Sequence, residues 1–186
     1  GIDNIAIGRV ALGASTTGCN NVAIGVAALS VAITTGINNY AIGTGAMDAL
    51  TSGICNVAIG ANALGASTTG CLNIALGAYA MGSTATTGIN NIAMGTNAMD
   101  ALTSGFDNIA MGVNALTSST TGCYSVAIGS NALGSGDVTG IDNIAMGHNT
   151  MDALTSGACN IGIGTDALGQ STTGCKNVAI GDQAMG

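Results

Sequence analysis

The chain has 186 residues and a net charge of −7, with two basic and nine acidic residues. Because Arg9 and Lys176 are the only Lys or Arg residues, the sequence has no basic surface for nucleic acid or for an anionic membrane. No apolar run reaches the ~20 residues of a membrane-spanning helix. Glycine supplies 31 residues, and proline and tryptophan are absent. This composition favours regular stacking of small side chains over an ordinary globular core.

The sequence is repetitive from its first residue to its last. TTGCNNVAIG at 16–25 returns with few changes at 68–77, 120–129 and 172–181. Each copy begins 52 residues after the one before, and this 52-residue super-repeat divides into three units of 17, 18 and 17 residues, so we treat 1–186 as one repetitive domain. We expect it to be a segment of a longer chain, in which case missing targeting signals carry no information. The units begin at Gly1, Gly18, Gly36, Gly53, Gly70, Gly88, Gly105, Gly122, Gly140, Gly157 and Gly174.

Within a unit, positions are numbered from this first glycine. Positions 5 and 7 are apolar and mostly branched, position 6 is almost always Ala, and position 8 is always Gly. A glycine in every unit would cost a helix about 1 kcal/mol each time, whereas period-two alternation is typical of a strand. We therefore predict an all-β fold, a parallel β-solenoid of about 11 coils. Each coil should have a strand over positions 2 to 7, a turn near position 8, and a shorter strand at the following Ala-Leu or Ala-Met.

Position 4 is Asn in ten of eleven units, with Ser125 as the exception. Stacked Asn side chains pass amide hydrogen bonds from one layer to the next, as in other cross-β ladders. We predict such a structural ladder along the solenoid. Its members are Asn4, Asn21, Asn39, Asn56, Asn73, Asn91, Asn108, Asn143, Asn160 and Asn177.

The Ala and Gly of positions 6 and 8 form a face without polar side chains. A strand face in water should be polar, so we expect this small-residue face to pack against identical chains. Position 2 is always apolar and is expected to point inward, while the variable position 3 is expected to point to solvent. The predicted packing column is Ala6, Ala23, Ala41, Ala58, Ala75, Ala93, Ala110, Ala127, Ala145 and Ala179.

Six cysteines fall in two of these columns. Four of them occupy position 2 of every third coil, about 14 Å apart along the rod, which is too far for a disulfide. We expect them to be small buried apolar residues. Cys55 with Cys71, and Cys159 with Cys175, lie on consecutive coils one position out of register. Their side chains are expected to point to opposite faces, which disfavours a bridge. The position 2 cysteines are Cys19, Cys71, Cys123 and Cys175.

Other candidate chemistry is sparse. His148 is the only histidine and is expected at the surface. Asp48, Asp100 and Asp152 recur at the turn of every third coil, too far apart to share an ion, and are interpreted as turn-stabilising residues. No Cys-x-x-Cys or Cys/His cluster predicts zinc. We expect no catalytic residue, no metal and no cofactor, and hence no enzyme.

The motifs NNVAIG at 20–25, CNVAIG at 55–60 and KNVAIG at 176–181, each followed by an Ala-Leu or Ala-Met pair or a close variant, resemble two families. These are the head repeats of trimeric autotransporter adhesins and the Asn-x-Ala-Ile-Gly repeats of bacteriophage tail fibres. The resemblance covers the whole chain. It implies a left-handed parallel β-roll, a homotrimer and an extracellular fibre. The units are longer than adhesin coils and contain cysteine, which favours a phage-type fibre or a similar filament.

Three function classes follow. The first is a structural or adhesive fibre that is its own partner, with any receptor or glycan contact outside this segment. The second is a single-chain solenoid that binds ice through threonine columns, although neighbouring threonines should face opposite ways. The third is an amyloid-like filament of chains stacked end to end through exposed coil edges.

Overall fold

The structure is a computed structural model that describes residues 1–31 and 34–186. Eleven three-residue strands form one parallel sheet in chain order. In the described ranges no helix is long and apolar enough to cross a membrane. The strands are β1 (Ile5–Ile7), β2 (Val22–Ile24), β3 (Tyr40–Ile42), β4 (Val57–Ile59), β5 (Ile74–Leu76), β6 (Ile92–Met94), β7 (Ile109–Met111), β8 (Val126–Ile128), β9 (Ile144–Met146), β10 (Ile161–Ile163) and β11 (Val178–Ile180).

Each strand pairs with the same unit positions of the next coil. Ile5 pairs with Val22, and Ala6 with Ala23, and this register continues to β11. Each sequence unit therefore forms one coil, and the chain is a β-solenoid of about ten turns, which confirms the predicted all-β solenoid. Because neighbouring strands lie about 4.8 Å apart, the eleven strands make a rod roughly 48 Å long.

The core of a single coil contains the alanines that we expected at an interface between chains. Ala23, Ala110 and Ala145 are fully buried within one chain, and only Ala6 in the first coil is exposed. The strand alternates outward, inward, outward, so the small central residue lets the coil close on its own Leu and Met side chains. The prediction of packing between chains through Ala6, Ala23, Ala41, Ala58, Ala75, Ala93, Ala110, Ala127, Ala145 and Ala179 is therefore wrong.

Backbone conformation explains why position 2 points outward, and not inward as expected. Position 3 has positive φ in every coil, as at Asn20 and Tyr124, both with φ of 56°. A left-handed residue turns the chain and interrupts period-two alternation. As a result position 2, which we expected inside, is exposed at Ile37 and Ile89. Position 3 points outward as predicted, for example at Leu72.

The same conformation shortens the predicted strands. Each strand covers positions 5 to 7 rather than 2 to 7, and turns replace the second strand. In the first coil the Ala11 backbone amide donates a hydrogen bond to the Gly8 carbonyl, and the Gly13 amide donates to the Val10 carbonyl. The residues at positions 10 and 12 have positive φ throughout, and Gly8 and its equivalents lie near 130–140°. The coil therefore bends at position 3 and again through the turns that begin at position 8.

One pair of substitutions shows how tightly the core is filled. Gly162 is the only residue other than Ala at position 6, and Thr150 replaces the Ala that other coils place at position 11. A Cβ at Gly162 would lie 2.9 Å from the Thr150 Cγ2 and 2.8 Å from the Met151 Cε. The larger Thr150 therefore occupies space that the smaller Gly162 leaves free, and the two exceptions compensate each other.

Candidate interaction face

The residues at positions 5 and 7 form a continuous apolar surface on the outside of the sheet, which we call the outward face. It has two side chains per strand, all Ile, Val, Leu or Met except Tyr40. Ile59 is 43% exposed, Met111 39% and Ile74 37%, well inside the rod rather than at its ends. The other members between the end strands are half-buried or similarly exposed. No charged side chain interrupts this face.

The outward face is comparable in area to the largest apolar patch of a typical monomer. Strand spacing gives it a length of roughly 48 Å, and two side chains in alternation give a width of about 10 Å, hence an area on the order of 500 Å². The largest apolar patch on a typical monomer is about 300–600 Å² and is often functional. An open sheet face in water ordinarily carries polar side chains. The composition of the outward face therefore indicates a contact surface.

The asparagine column forms a hydrogen-bonded ladder directly behind this face. Asn39 Nδ2 donates to Asn21 Oδ1 at 3.1 Å and to the Gly53 carbonyl at 2.9 Å. The Asn56 amide and Nδ2 both donate to Asn39 Oδ1, each at 3.1 Å. The side chains are buried, so the ladder satisfies polar groups that would otherwise be orphaned. It fixes each strand relative to the next and so keeps the outward face regular.

The ladder is interrupted once. The backbone amide of Ser125 donates to Asn108 Oδ1 at 3.0 Å, as a ladder Asn would. Its hydroxyl, however, donates to the Cys123 carbonyl at 3.3 Å and does not continue the ladder. Among the described residues, the backbone amide of Asn143 donates no hydrogen bond and the Gly140 carbonyl accepts none. In the other inner coils a ladder Asn serves both kinds of group. Coil eight is therefore a weak point of the rod.

The three repeated aspartates, which were interpreted as turn-stabilising residues, each accept a hydrogen bond from the preceding coil. Asp48 Oδ1 accepts from the Ser30 hydroxyl at 2.9 Å and from the Val31 amide at 3.2 Å. Asp100 Oδ2 accepts from the Ser83 hydroxyl at 2.8 Å. His148 is exposed. Within 1–31 and 34–186 there is no group of three or more His, Cys, Asp or Glu that could hold a metal ion.

The position 2 cysteines differ from the expectation of buried apolar residues. Cys123 is 8% exposed, but Cys19 and Cys71 are half-buried and Cys175 is exposed. Their thiols form hydrogen bonds: Cys71 Sγ donates to the Thr69 carbonyl at 3.3 Å and accepts from the Ile54 amide at 3.4 Å. All six cysteines are unbridged. Cys19, Cys71 and Cys175 each accept a hydrogen bond from a backbone amide of the preceding coil and so connect the two coils.

The last residue of each coil adds a second outward column. This residue is Ser or Thr in all ten complete coils and is exposed in each. The preceding residue points inward or is half-buried between the end coils, as at Thr34 and Thr86. Neighbouring threonines thus face different ways, as predicted, and leave a single rank of hydroxyls. The column comprises Thr17, Thr35, Ser52, Thr69, Thr87, Ser104, Thr121, Thr139, Ser156 and Thr173.

Comparison with known proteins found no relative of this chain. The chain matches no family model, no curated protein and no solved structure. The features of this chain that bear on function are the outward face and the stacked coils that display it.

Proposed function

We propose that this chain is a structural segment of an extracellular fibre, in which identical chains pack side by side through their outward faces. Three copies is the number that the resemblance to adhesin heads and phage fibres implies. The observation that carries the proposal is the uninterrupted apolar surface along all eleven strands. In this proposal the chains contact each other through the side chains of positions 5 and 7, and not through the position 6 alanines that we expected from the sequence.

A second copy of this chain fits the outward face better than an unrelated partner. Two copies share the same coil spacing, so side chains of one rod meet gaps of the other at every level along the roughly 48 Å length. Closed symmetric association of identical chains is the usual arrangement of homo-oligomers.

The proposed role is mechanical rather than chemical. The ladder of buried amides and the continuous sheet resist bending, and stacked coils set the length of the rod. Outward residues of the turns are left to face solvent around such a bundle. Any receptor or glycan contact is assigned to parts of the fibre beyond these residues. The segment needs no cofactor for this role.

The exposed Ser and Thr column supports a second candidate, a single-chain solenoid that binds ice. Hydroxyls spaced one coil apart form a regular rank, and eight of the ten donate no hydrogen bond in the described part of the chain. A single rank is narrower than the paired rank that an ice-binding face is expected to need. This candidate also leaves the outward face without a function, so we rank it below the fibre.

Methionine oxidation tests whether the outward face is covered in solution. Met94, Met111 and Met146 lie on that face and are 36–39% exposed in a single chain. We expect dilute hydrogen peroxide to oxidise them at least ten times more slowly than Met185, which is 59% exposed at the end of the rod. Covering a thioether with a second chain excludes the oxidant, and peptide mass spectrometry reads each site.

The chain supplies its own controls for this experiment. Four methionines are fully buried within the coil and should be protected in a single chain or an assembly: Met47, Met81, Met99 and Met151. Oxidation of Met94, Met111 and Met146 at the rate of Met185, with the buried four still protected, would overturn the fibre proposal. An ice-recrystallisation assay would then examine the single-chain candidate.

A further inference from the structure

The side chains of positions 2 and 3 share one side of the coil. Phe106 at position 2 and Tyr124 at position 3 of the next coil make an edge-to-face contact, with ring centroids 5.1 Å apart. Since position 3 has positive φ in every coil, the two columns do not alternate as they would in a regular strand. The reason for expecting Cys55 and Cys71 on opposite faces therefore does not hold.

Two cysteine pairs occupy these columns on consecutive coils. Cys55 is exposed at position 3, and Cys71 follows at position 2 of the next coil. Cys71 Sγ leans back onto the coil of Cys55, because it accepts from the amide of Ile54 at 3.4 Å. One strand spacing and one residue step separate the two Cα atoms by about 6 Å. A disulfide requires about 4.4–6.8 Å.

The second pair repeats this arrangement. Cys159 is exposed at position 3, and Cys175 Sγ accepts from the Ala158 amide at 3.4 Å. The other two position 2 cysteines have no such partner. Position 3 of the preceding coil is Asp3 in the case of Cys19 and Asp107 in the case of Cys123. The chain thus contains two equivalent pairs and two unpaired thiols in the same column.

We propose that Cys55 with Cys71, and Cys159 with Cys175, are sites of disulfide formation that join consecutive coils of one chain. The oxidant is a low-molecular-weight disulfide such as oxidised glutathione. The exposed thiolate of Cys55 attacks it, forms a mixed disulfide and releases one glutathione thiolate. Cys71 then gives up its proton and displaces the second glutathione. Two protein thiols become one protein disulfide, and one glutathione disulfide becomes two thiols.

The bridge would hold two neighbouring coils together where the chain otherwise relies on hydrogen bonds. It closes a short loop of one coil, which restricts the unfolded chain. Because both sulfurs belong to one chain, this proposal does not rest on the packing of copies through the outward face. Failure of either proposal leaves the other in place.

Oxidation of the native protein, followed by thiol counting after denaturation, tests the proposal. The reduced protein should show six thiols after denaturation, and incubation with oxidised glutathione should leave two. The two that remain should be Cys19 and Cys123. We expect non-reducing electrophoresis to show a single chain, and the oxidised form to unfold at a temperature several degrees higher. Six remaining thiols, bridges between chains, or glutathione retained on Cys55 would overturn the proposal.

Cleavage before aspartate locates the bridges. Cys55 and Cys71 lie in one fragment, 48–99, whose mass should fall by two hydrogens. Cys159 and Cys175 lie in the separate fragments 152–165 and 166–181, which should be recovered as one linked species. Fragments 3–47 and 107–136 should retain free thiols.

Two variants separate the bridge from a general effect of losing a thiol. Cys55→Ser has five thiols and should leave three after oxidation where the wild type leaves two, because Cys71 has lost its partner and only Cys159 and Cys175 can pair. Cys19→Ser removes a thiol from the same column with equivalent hydrogen bonds and should still lose four thiols on oxidation. An equal loss in Cys55→Ser and Cys19→Ser would contradict the assigned pairing.

Discussion

Replacing Ile92 and Ile144 with lysine should reduce the native assembly to single chains. Both residues are half-buried at position 5 of the outward face, and a packed interface would have to remove two ammonium groups per chain from water. The cost of burying an unpaired charge is several kcal/mol, so we expect association to weaken at least a hundredfold. Light scattering on the separated protein measures the native mass.

Ser104→Lys with Ser156→Lys is the matched control. Ser104 and Ser156 are exposed outside the strands, belong to the same coils as Ile92 and Ile144, and have the same spacing along the chain. This control should retain the assembled mass. Circular dichroism should show the same β content in both variants, because the changed side chains point away from the coil core. Equal dissociation of the two variants would argue against the outward face.

Asn91→Ala should lower the free energy of unfolding by about 3 kcal/mol, since each orphaned buried polar group costs about 1–3 kcal/mol. Asn91 Nδ2 donates to the Gly105 carbonyl at 2.9 Å, and its Oδ1 accepts from the Asn108 amide at 3.1 Å. Truncation leaves both backbone groups buried without a partner. Urea unfolding followed by circular dichroism measures the loss, and Thr96→Ala, an exposed site, should stay within about 0.5 kcal/mol of wild type.

The reciprocal change at the interrupted rung strengthens this test. Ser125→Asn supplies a side chain that can donate to the Gly140 carbonyl and accept from the Asn143 amide, neither of which has a partner in the described residues. We expect a gain of about 1–2 kcal/mol. A ladder that stabilises the rod requires opposite signs for Asn91→Ala and Ser125→Asn. Destabilisation by both would show that local packing, rather than the amide ladder, dominates at position 4.

The solenoid could be predicted from the sequence because its evidence is periodic. Units that begin on glycine at intervals of 17 or 18 residues, with one apolar-Ala-apolar triplet each, require that equivalent triplets stack. Asparagine repeated at position 4 indicated the amide ladder for the same reason. A column of side chains that stack on one another needs the same residue in every unit, so the repeat itself makes the column recognisable in the sequence.

The direction of each side chain was harder to predict, because one left-handed residue changes it. Ala110 was assigned to the wrong side, since an alanine column suits a close contact between chains as well as the inside of a narrow coil. Asn and Asp at position 3, as at Asn38 and Asp107, and Asn at position 10, as at Asn114, were the available signal, because these residues tolerate positive φ. Leu64 and Met99 at position 12 adopt positive φ without such a signal.

The mass of the native particle tests the central claim most directly. Light scattering coupled to size separation, on the unmodified chain at micromolar concentration, gives that mass without reference to shape. Packing of three copies through their outward faces predicts three times the chain mass of 17.7 kDa. A stable particle of 17.7 kDa with the β content of the solenoid would contradict it.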